Sequence, residues 1–355
     1  MLDFDIYKFY AEISEKNIAI RLDAGEPDIA PHPELIEFMK RHSSELGYAP
    51  PAGIRELREK IAEEHRVDLG EVAVVPGSKA GIAAVVARAS ALGVIAPYWP
   101  GYVKAACTFG KEVVVVHTSL RDKWIPRIAS LEAVADTIDT LIVNYPNNPT
   151  GAVLDRATVR GIVDLAEDRE LVLVSDEAYR DIVFGEEQPP IASLRVENTV
   201  SVYSFSKTFS LPGLRIGYVV GDKSIIEKIV DFTASTYTSV PIFAQKVAIK
   251  ALELRREVVD YVRKVYRERL EVFEKHIDRE IFRFARPRGA FYVFLEMSSS
   301  VDSIEVARRL ADRGVGVFPG VAFGRRYYNY LRVSLTKPPS LIQKALSIIR
   351  EVVIG

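Results

Sequence analysis

From about residue 70 the chain alternates short, almost uninterrupted apolar runs with segments of helical character. In order these are EVAVVPGS then KAGIAAVVARASAL, GVIAPY then GYVKAACTFG, EVVVVHT, TLIVNYP then RATVRGIVDLAEDR, ELVLVSDEAY, TVSVYSFS and LRIGYVVG. A strand that is apolar along its whole length, and not at every second position, has to be covered on both faces, and the intervening helices supply that cover. The pattern therefore predicts an α/β fold with a mostly parallel sheet sandwiched by helices. After residue 222 it gives way to a long helical region, from SIIEKIV to the segment ending FEKH, and then to two strand-like pieces, GAFYVFLEM and YLRVSLT, flanking the helical IEVARRLADRG. That change predicts a smaller α+β domain. Residues 35–250 are expected to form the large domain, and residues 1–34 plus 251–355 the small one.

The 355 residues are enough for one large core and a second, smaller lobe. A formal net charge of −1 leaves no global field to draw in nucleic acid or an anionic membrane. No stretch approaches the roughly 20 apolar residues of a membrane span, and the acidic, amphipathic opening MLDFDIYKFYAEIS lacks the basic start and apolar run of a signal peptide. The expectation is a cytoplasmic protein. Cys107 is the only cysteine, which excludes an internal disulfide and a thiolate metal cluster. One cysteine, three methionines, three glutamines and abundant Arg and Glu suit a source that grows hot.

Open α/β sheets bind ligands beyond the carboxyl ends of their strands, and four of those ends carry notable residues. Gly77, Ser78 and Lys79 stand where VVPGSKAG passes from strand to helix, a natural anion site, although Ser78 alone would be an ordinary N-cap. LIVNYPNNPTG ends in a turn from which Asn148 could project a donor, although an Asn-Pro turn has the same composition. LVLVSDEAYR ends in Asp176 and Glu177, with Tyr179 beyond. A strand ending in Asp-Glu resembles the magnesium-binding strand of a nucleotide hydrolase, but the chain lacks the GxxxxGK[ST] loop which that chemistry needs. In SVYSFSK, Ser204 leads to Lys207, whose amine becomes nucleophilic if burial and a nearby cation lower its pKa. Arg215, at the start of LRIGYVV, could clamp an oxyanion.

Together these groups describe one ligand bearing an aldehyde, a phosphate, a phenolic oxygen and a ring nitrogen. Lys207 would condense with the aldehyde, and Asp176 would keep the ring nitrogen protonated. Tyr179 and Asn148 would bond the phenolic oxygen, and Ser78, Ser204 and Arg215 would hold the phosphate. Pyridoxal 5′-phosphate has those parts.

With these residues in this order the sequence resembles the fold-type I pyridoxal-phosphate aminotransferases of class I, the branch that includes many aspartate aminotransferases. The resemblance runs through DAGEPD (23–28), GYAPPAGIRELRE (47–59), PGSKAG (76–81), PYWPGY (97–102), NPTG (148–151), SDEAY (175–179), SFSK with Arg215, PRGAFYVF (287–294), PGVAFG (319–324) and YLRVSL (330–335). It implies that Trp99 stacks on the pyridine ring, that Arg332 binds the substrate α-carboxylate and that the backbone of Gly25 closes over that carboxylate. It also implies that Tyr48 reaches the phosphate in a neighbouring subunit, hence a homodimer with shared active sites. By the same resemblance Lys207 moves the α-proton, the small domain closes over the site and the kinetics are ping-pong.

Lys79 follows the phosphate-cradling serine and, by resemblance to aspartate-specific relatives, would meet an acidic side chain, making aspartate or glutamate the expected donor. An aromatic or alanine-type aminotransferase and a carbon–sulfur β-lyase on the same scaffold remain open. A sensor protein with an aminotransferase-like domain would carry a DNA-binding segment first, and only about twenty residues precede DAGEPD.

Overall fold

The computed structural model describes residues 4–185, 191–194, 197–298 and 300–355, so residues 1–3 of the amphipathic opening lie outside it. The N-terminal helix Ile6–Ser14 leads to the short strand β1 (Ile20–Arg21). Seven strands then build the central sheet: β2 (Val72–Val75), β3 (Ala91–Ala96), β4 (Glu112–His117), β5 (Thr140–Asn144), β6 (Val172–Asp176), β7 (Thr199–Ser204) and β8 (Gly217–Gly221). Their spatial order is β2-β8-β7-β6-β5-β3-β4. Only β8 runs against the others, pairing antiparallel with β2 and β7 while the remaining pairs are parallel.

The helical cover follows from the same apolar strands. Val75, Val202 and Val219 face one layer and pack against Ile82 of helix Ser78–Val86 and Ile225 and Ile229 of helix Lys223–Thr236. Leu141, Leu173 and Tyr203 face the opposite layer, where they join Val159 and Ile162 of helix Arg156–Asp168. Several of these helices begin where an aspartate satisfies free amides. Asp155 accepts from the Thr158 amide at 2.7 Å and Asp222 from the Ser224 amide at 2.8 Å.

The boundaries depart from the sequence reading in two places. Helix Ser78–Val86 stops early and β3 begins at Ala91, so Ala91 and Leu92, good helix formers, pair with Glu112 and Val113 of β4. Helix Ile128–Ala135, which the sequence pattern left unassigned, covers the sheet between β4 and β5. The long helical region resolves into three helices, Lys223–Thr236, Ile242–Glu253 and Arg255–His276.

The C-terminal third adds β9 (Tyr292–Glu296), β10 (Val315–Gly316), β11 (Phe318–Pro319) and β12 (Tyr330–Ser334). β12 lies between β11 and β9, antiparallel to both, so Arg332 stands beside Phe318 and Phe294. β1 pairs in parallel with β10, which ties the N-terminal segment to this region. Among the described residues no helix is long and apolar enough to cross a membrane.

Candidate active site

Since β2, β5, β6 and β7 point the same way and β8 runs back between two of them, four strand ends and one strand start meet at a single edge of the sheet. A cavity of about 460 Å³ opens there. Its floor comprises Ser78 after β2, Asn144 and Asn148 at and after β5, Asp176 at the end of β6, and Ser204 and Lys207 at and after β7. Arg215, just before β8, Gly25, after β1, and Arg332 of β12 also line it. Tyr179 and Trp99 line the same space.

At one end Gly77 adopts φ +78 and ψ 157 ahead of the helix that Ser78 opens. This is backbone that L side chains rarely adopt, and a Cβ there would stand 2.7 Å from the Arg215 guanidinium. Arg215 does not open a strand, as the sequence suggested. It follows the Pro212–Leu214 turn in left-handed backbone, with Nη1 donating to the Pro212 carbonyl at 2.8 Å, and β8 begins two residues later. The start of the Ser78 helix, the Ser78 and Ser204 hydroxyls and this guanidinium are grouped as a cradle for an anion would need them.

Asp176 sits at the base of the cavity with only 5% of its surface exposed. Its Oδ2 accepts from the Tyr102 hydroxyl at 2.5 Å and its Oδ1 from the Ala178 amide at 3.1 Å. Burial pushes this carboxyl above the usual range, while Tyr102, the Ala178 amide and Lys207 hold it down. Tyr102 was not foreseen, although its place three residues after Trp99 at the start of helix Gly101–Thr108 was a usable signal; the two rings meet edge-on at 5.2 Å.

Lys207 lies on the one-turn helix Phe205–Thr208 that Ser204 caps by accepting from the Ser206 amide. Its Nζ donates to the Gly25 carbonyl at 2.5 Å. Burial, and then the cations Arg332 and Arg215, bring its amine down to about 8 against the pull of Asp176 and Glu26. Near neutrality a useful fraction is therefore the free base.

The asparagine turn divides its labour. Asn147 ties the turn, accepting from the Thr150 amide and hydroxyl and donating to the Asn144 and Pro97 carbonyls. Asn148 faces the cavity, and its Oδ1 accepts from Arg332 Nη1 at 3.0 Å. Arg332 is 4% exposed, with Nη2 donating to the Asp23 carbonyl and Nε lacking a partner among the described residues. The rings of Tyr292, Phe318 and Phe323 surround its guanidinium at 4.4, 4.9 and 5.1 Å. A cation so desolvated, with no carboxylate bridging it among the described residues, is chemically suited to receive an anion.

Tyr179 is buried with its hydroxyl 2.8 Å from that of Tyr292, a second residue the sequence reading left unassigned. Lys79 lies at the mouth, its Nζ 5.8 Å from the centre of the Trp99 ring. Ile6, Tyr10 and Phe318 form the adjoining wall. Tyr48 is not brought to this cavity; it is 85% exposed elsewhere on the surface. Of the sequence-derived site residues it alone stands apart.

The sequence matches the family described as aminotransferase class I and II over residues 17–349. It is 43% identical to an aspartate aminotransferase of Thermococcus kodakarensis across 98% of this chain and 92% of that protein. It is 32% identical to an aspartate/prephenate aminotransferase of Thermus thermophilus, covering 92% and 89% of the two chains. Among solved structures, a double mutant of the T. thermophilus aspartate aminotransferase superposes with a TM-score of 0.92 at 30% identity, covering 99% of this chain and 97% of that one.

Proposed function

The chain belongs to the aminotransferase class I and II family and is an aminotransferase, and from that premise we propose that it moves the amino group of an acidic L-amino acid, aspartate or glutamate, to a 2-oxo acid on pyridoxal 5′-phosphate with ping-pong kinetics. The observation that carries this reading is the convergence of the Lys207 amine, the Asp176 carboxyl and the Arg332 guanidinium on one cavity that also holds Ser78 and Arg215.

The cofactor fits the donor set. A phosphate suits the cradle of Gly77, Ser78, Ser204 and Arg215, where the missing Cβ of Gly77 leaves room beside the guanidinium. Asp176 suits the ring nitrogen, because a buried carboxylate favours a proton on whatever base faces it. Tyr179 and Asn148 suit the phenolic oxygen and Trp99 the ring face. When bound, pyridoxal phosphate supplies the aldehyde that takes up the amino group and a cationic ring that spreads the electrons released from the Cα–H bond.

The protein's own groups do the rest. Arg332 takes the substrate α-carboxylate in a water-poor pocket, which fixes the Cα–H bond near Lys207 and makes the contact strong. Gly25 covers that carboxylate with its backbone. Lys207, with its amine brought down to about 8, would take up the α-proton at Nζ as a general base and release it again as the acid. Tyr102 keeps the Asp176 carboxylate aligned. Lys79 at the mouth offers a cation to a distal carboxylate, the feature that favours an acidic donor.

Adding L-aspartate alone to the purified, cofactor-loaded protein tests this reading: the visible band converts to the pyridoxamine form without any 2-oxo acid. No band after supplying pyridoxal phosphate would refute the cofactor assignment. An unchanged band with aspartate and glutamate would refute the acidic donor, and pyruvate release from cystathionine would point to β-elimination. A second reading, an aromatic donor, draws on the wall of Tyr10, Trp99 and Phe318 beside Lys79. The two are separated by the ratio of kcat/KM for aspartate and phenylalanine.

In this reading the enzyme is a homodimer, with the exposed Tyr48 completing the phosphate site of a neighbouring subunit. Full activity from a monomer in sedimentation at assay concentration would refute the shared site. We divide the two units just ahead of helix Pro33–His42 and at Leu254, between helices Ile242–Glu253 and Arg255–His276, because residues 34 and 250 both fall inside helices.

A further inference from the structure

Tyr292 touches three functional groups at once. Its hydroxyl lies 2.8 Å from that of Tyr179. The Arg332 guanidinium stands over its ring, 4.4 Å from the centre. A Cβ placed on Gly25 would overlap the Tyr292 hydroxyl. The ring is held at 1% exposure by Phe291 at 4.8 Å and by Tyr179 edge-on at 5.6 Å, so the hydroxyl has little freedom to move.

Two phenols at that distance share one hydrogen bond, and the direction of the bond decides what Tyr179 can offer the cavity. A phenol has a single proton. If Tyr179 gave its own to Tyr292, it would face the cavity only as an acceptor. The cation over the Tyr292 ring draws density from that phenol and makes it the better donor of the pair. Burial raises both phenols, and Arg332, which stands over the Tyr292 ring, draws both back.

We propose that Tyr292 is a positioning residue whose hydroxyl donates to Tyr179 and so directs the Tyr179 proton into the cavity, toward the phenolic oxygen of the cofactor; this rests on the pyridoxal phosphate reading above. The guanidinium that polarises Tyr292 is also the group that takes the substrate carboxylate. Neutralising it weakens the donation, so the carboxylate site and the phenolic oxygen are coupled through Tyr292.

The test is the pH at which the visible absorption of the cofactor-loaded, substrate-free enzyme switches between its protonated and deprotonated forms. A donor on the phenolic oxygen favours the deprotonated form, and a chain of two donors does so more strongly than one. Tyr292→Phe, which keeps the ring, is expected to raise the midpoint by roughly half a pH unit. Tyr179→Phe should raise it further, and in that background Tyr292→Phe should add nothing. A fluorinated tyrosine at position 292, a stronger donor of nearly the same shape, should lower the midpoint, which keeps the test sound should the Phe variant fold poorly. A midpoint in Tyr292→Phe within about 0.2 of the parent, with cofactor bound, overturns the proposal. An unchanged midpoint in Tyr179→Phe overturns instead the placing of Tyr179 on the phenolic oxygen, and absence of a visible band in the loaded parent overturns the cofactor reading beneath both.

Discussion

Replacing Arg332 by lysine keeps the charge and discards the geometry. The guanidinium uses Nη1 on Asn148 Oδ1 and Nη2 on the Asp23 carbonyl, with three aromatic rings around its plane. A lysine ammonium is a compact, strongly hydrated charge that cannot present a planar fork to a carboxylate and hold these acceptors as well. The variant therefore loses one or two charge-assisted hydrogen bonds to the substrate carboxylate, each worth roughly 1.5–3 kcal/mol. That corresponds to a fall in kcat/KM of between roughly tenfold and twenty-thousand-fold. Steady-state kinetics should show the loss for the amino donor and the 2-oxo acceptor alike, because both carry the same carboxylate, and mainly in KM, because that contact is made in ground and transition states. The cation that helps bring Lys207 down to about 8 persists, so the pH profile should hold its position. Arg332→Gln, which removes it, should move the alkaline-favouring limb upward. A loss below tenfold in Arg332→Lys, or one confined to a single substrate, would refute the assignment of Arg332 as the carboxylate receptor.

Lys207→Ala should abolish turnover while leaving the far-ultraviolet circular dichroism spectrum unchanged; turnover above about a hundredth of the parent's would remove Lys207 as the base. Lysine has its folded pKa lowered to about 8 here, so the unfolded chain binds the extra proton between there and about 10.5. In the cofactor-free protein the cost of charging this amine is thus fully present below pH 8 and relieved as pH rises. Lys207→Met should be more stable than the parent at pH 7 by roughly 1–3 kcal/mol, with the gap closing toward pH 10 in urea titrations; a gap independent of pH would refute this account. Tyr102→Phe removes the hydroxyl on Asp176 Oδ2 and should lower kcat about tenfold with KM little changed, since a hydrogen bond to a buried carboxylate is lost; an unaltered kcat would show that Tyr102 does not align Asp176. Gly77→Ala forces a Cβ into glycine-only backbone beside Arg215 and should weaken cofactor binding by roughly 10- to 100-fold with a smaller change in melting temperature. Equal cofactor affinity in absorbance titration would place the phosphate elsewhere.

Much of this molecule was legible in the sequence because its strongest signals are local. Runs such as VAVV, LIV and VLV, bounded by turn residues and separated by helical segments, read as strands covered on both faces, and Asp176, Ser204, Lys207 and Arg215 gained meaning from standing where such runs end or begin. The misplaced boundaries at Ala91 and at Arg215 have different causes. Ala91 and Leu92 favour a helix by propensity, but the neighbouring β4 offers their backbone a parallel ladder, and that tertiary pairing prevails. Arg215 was drawn into a strand by the apolar run behind it, whereas Pro212 and Gly213 close a turn that leaves it in left-handed backbone at the cavity edge.

What the sequence by itself determined was the set of chemical groups and the edge of the sheet to which they belong, since the order of strands and their apolar ends is written in neighbouring residues. What only the tertiary structure decided was the wiring among those groups: Tyr102 on Asp176 across 74 positions, Tyr292 on Tyr179 across 113, Arg332 on Asn148 across 184 and Lys207 on Gly25 across 182. Each bond joins side chains or backbone that no periodicity relates, and those of Tyr292 and Arg332 depend on how the C-terminal strands β9 and β12 pack over the central sheet. Hydrogen bonds act over about 3 Å, so a partner far along the chain becomes visible only when the fold has brought it that close.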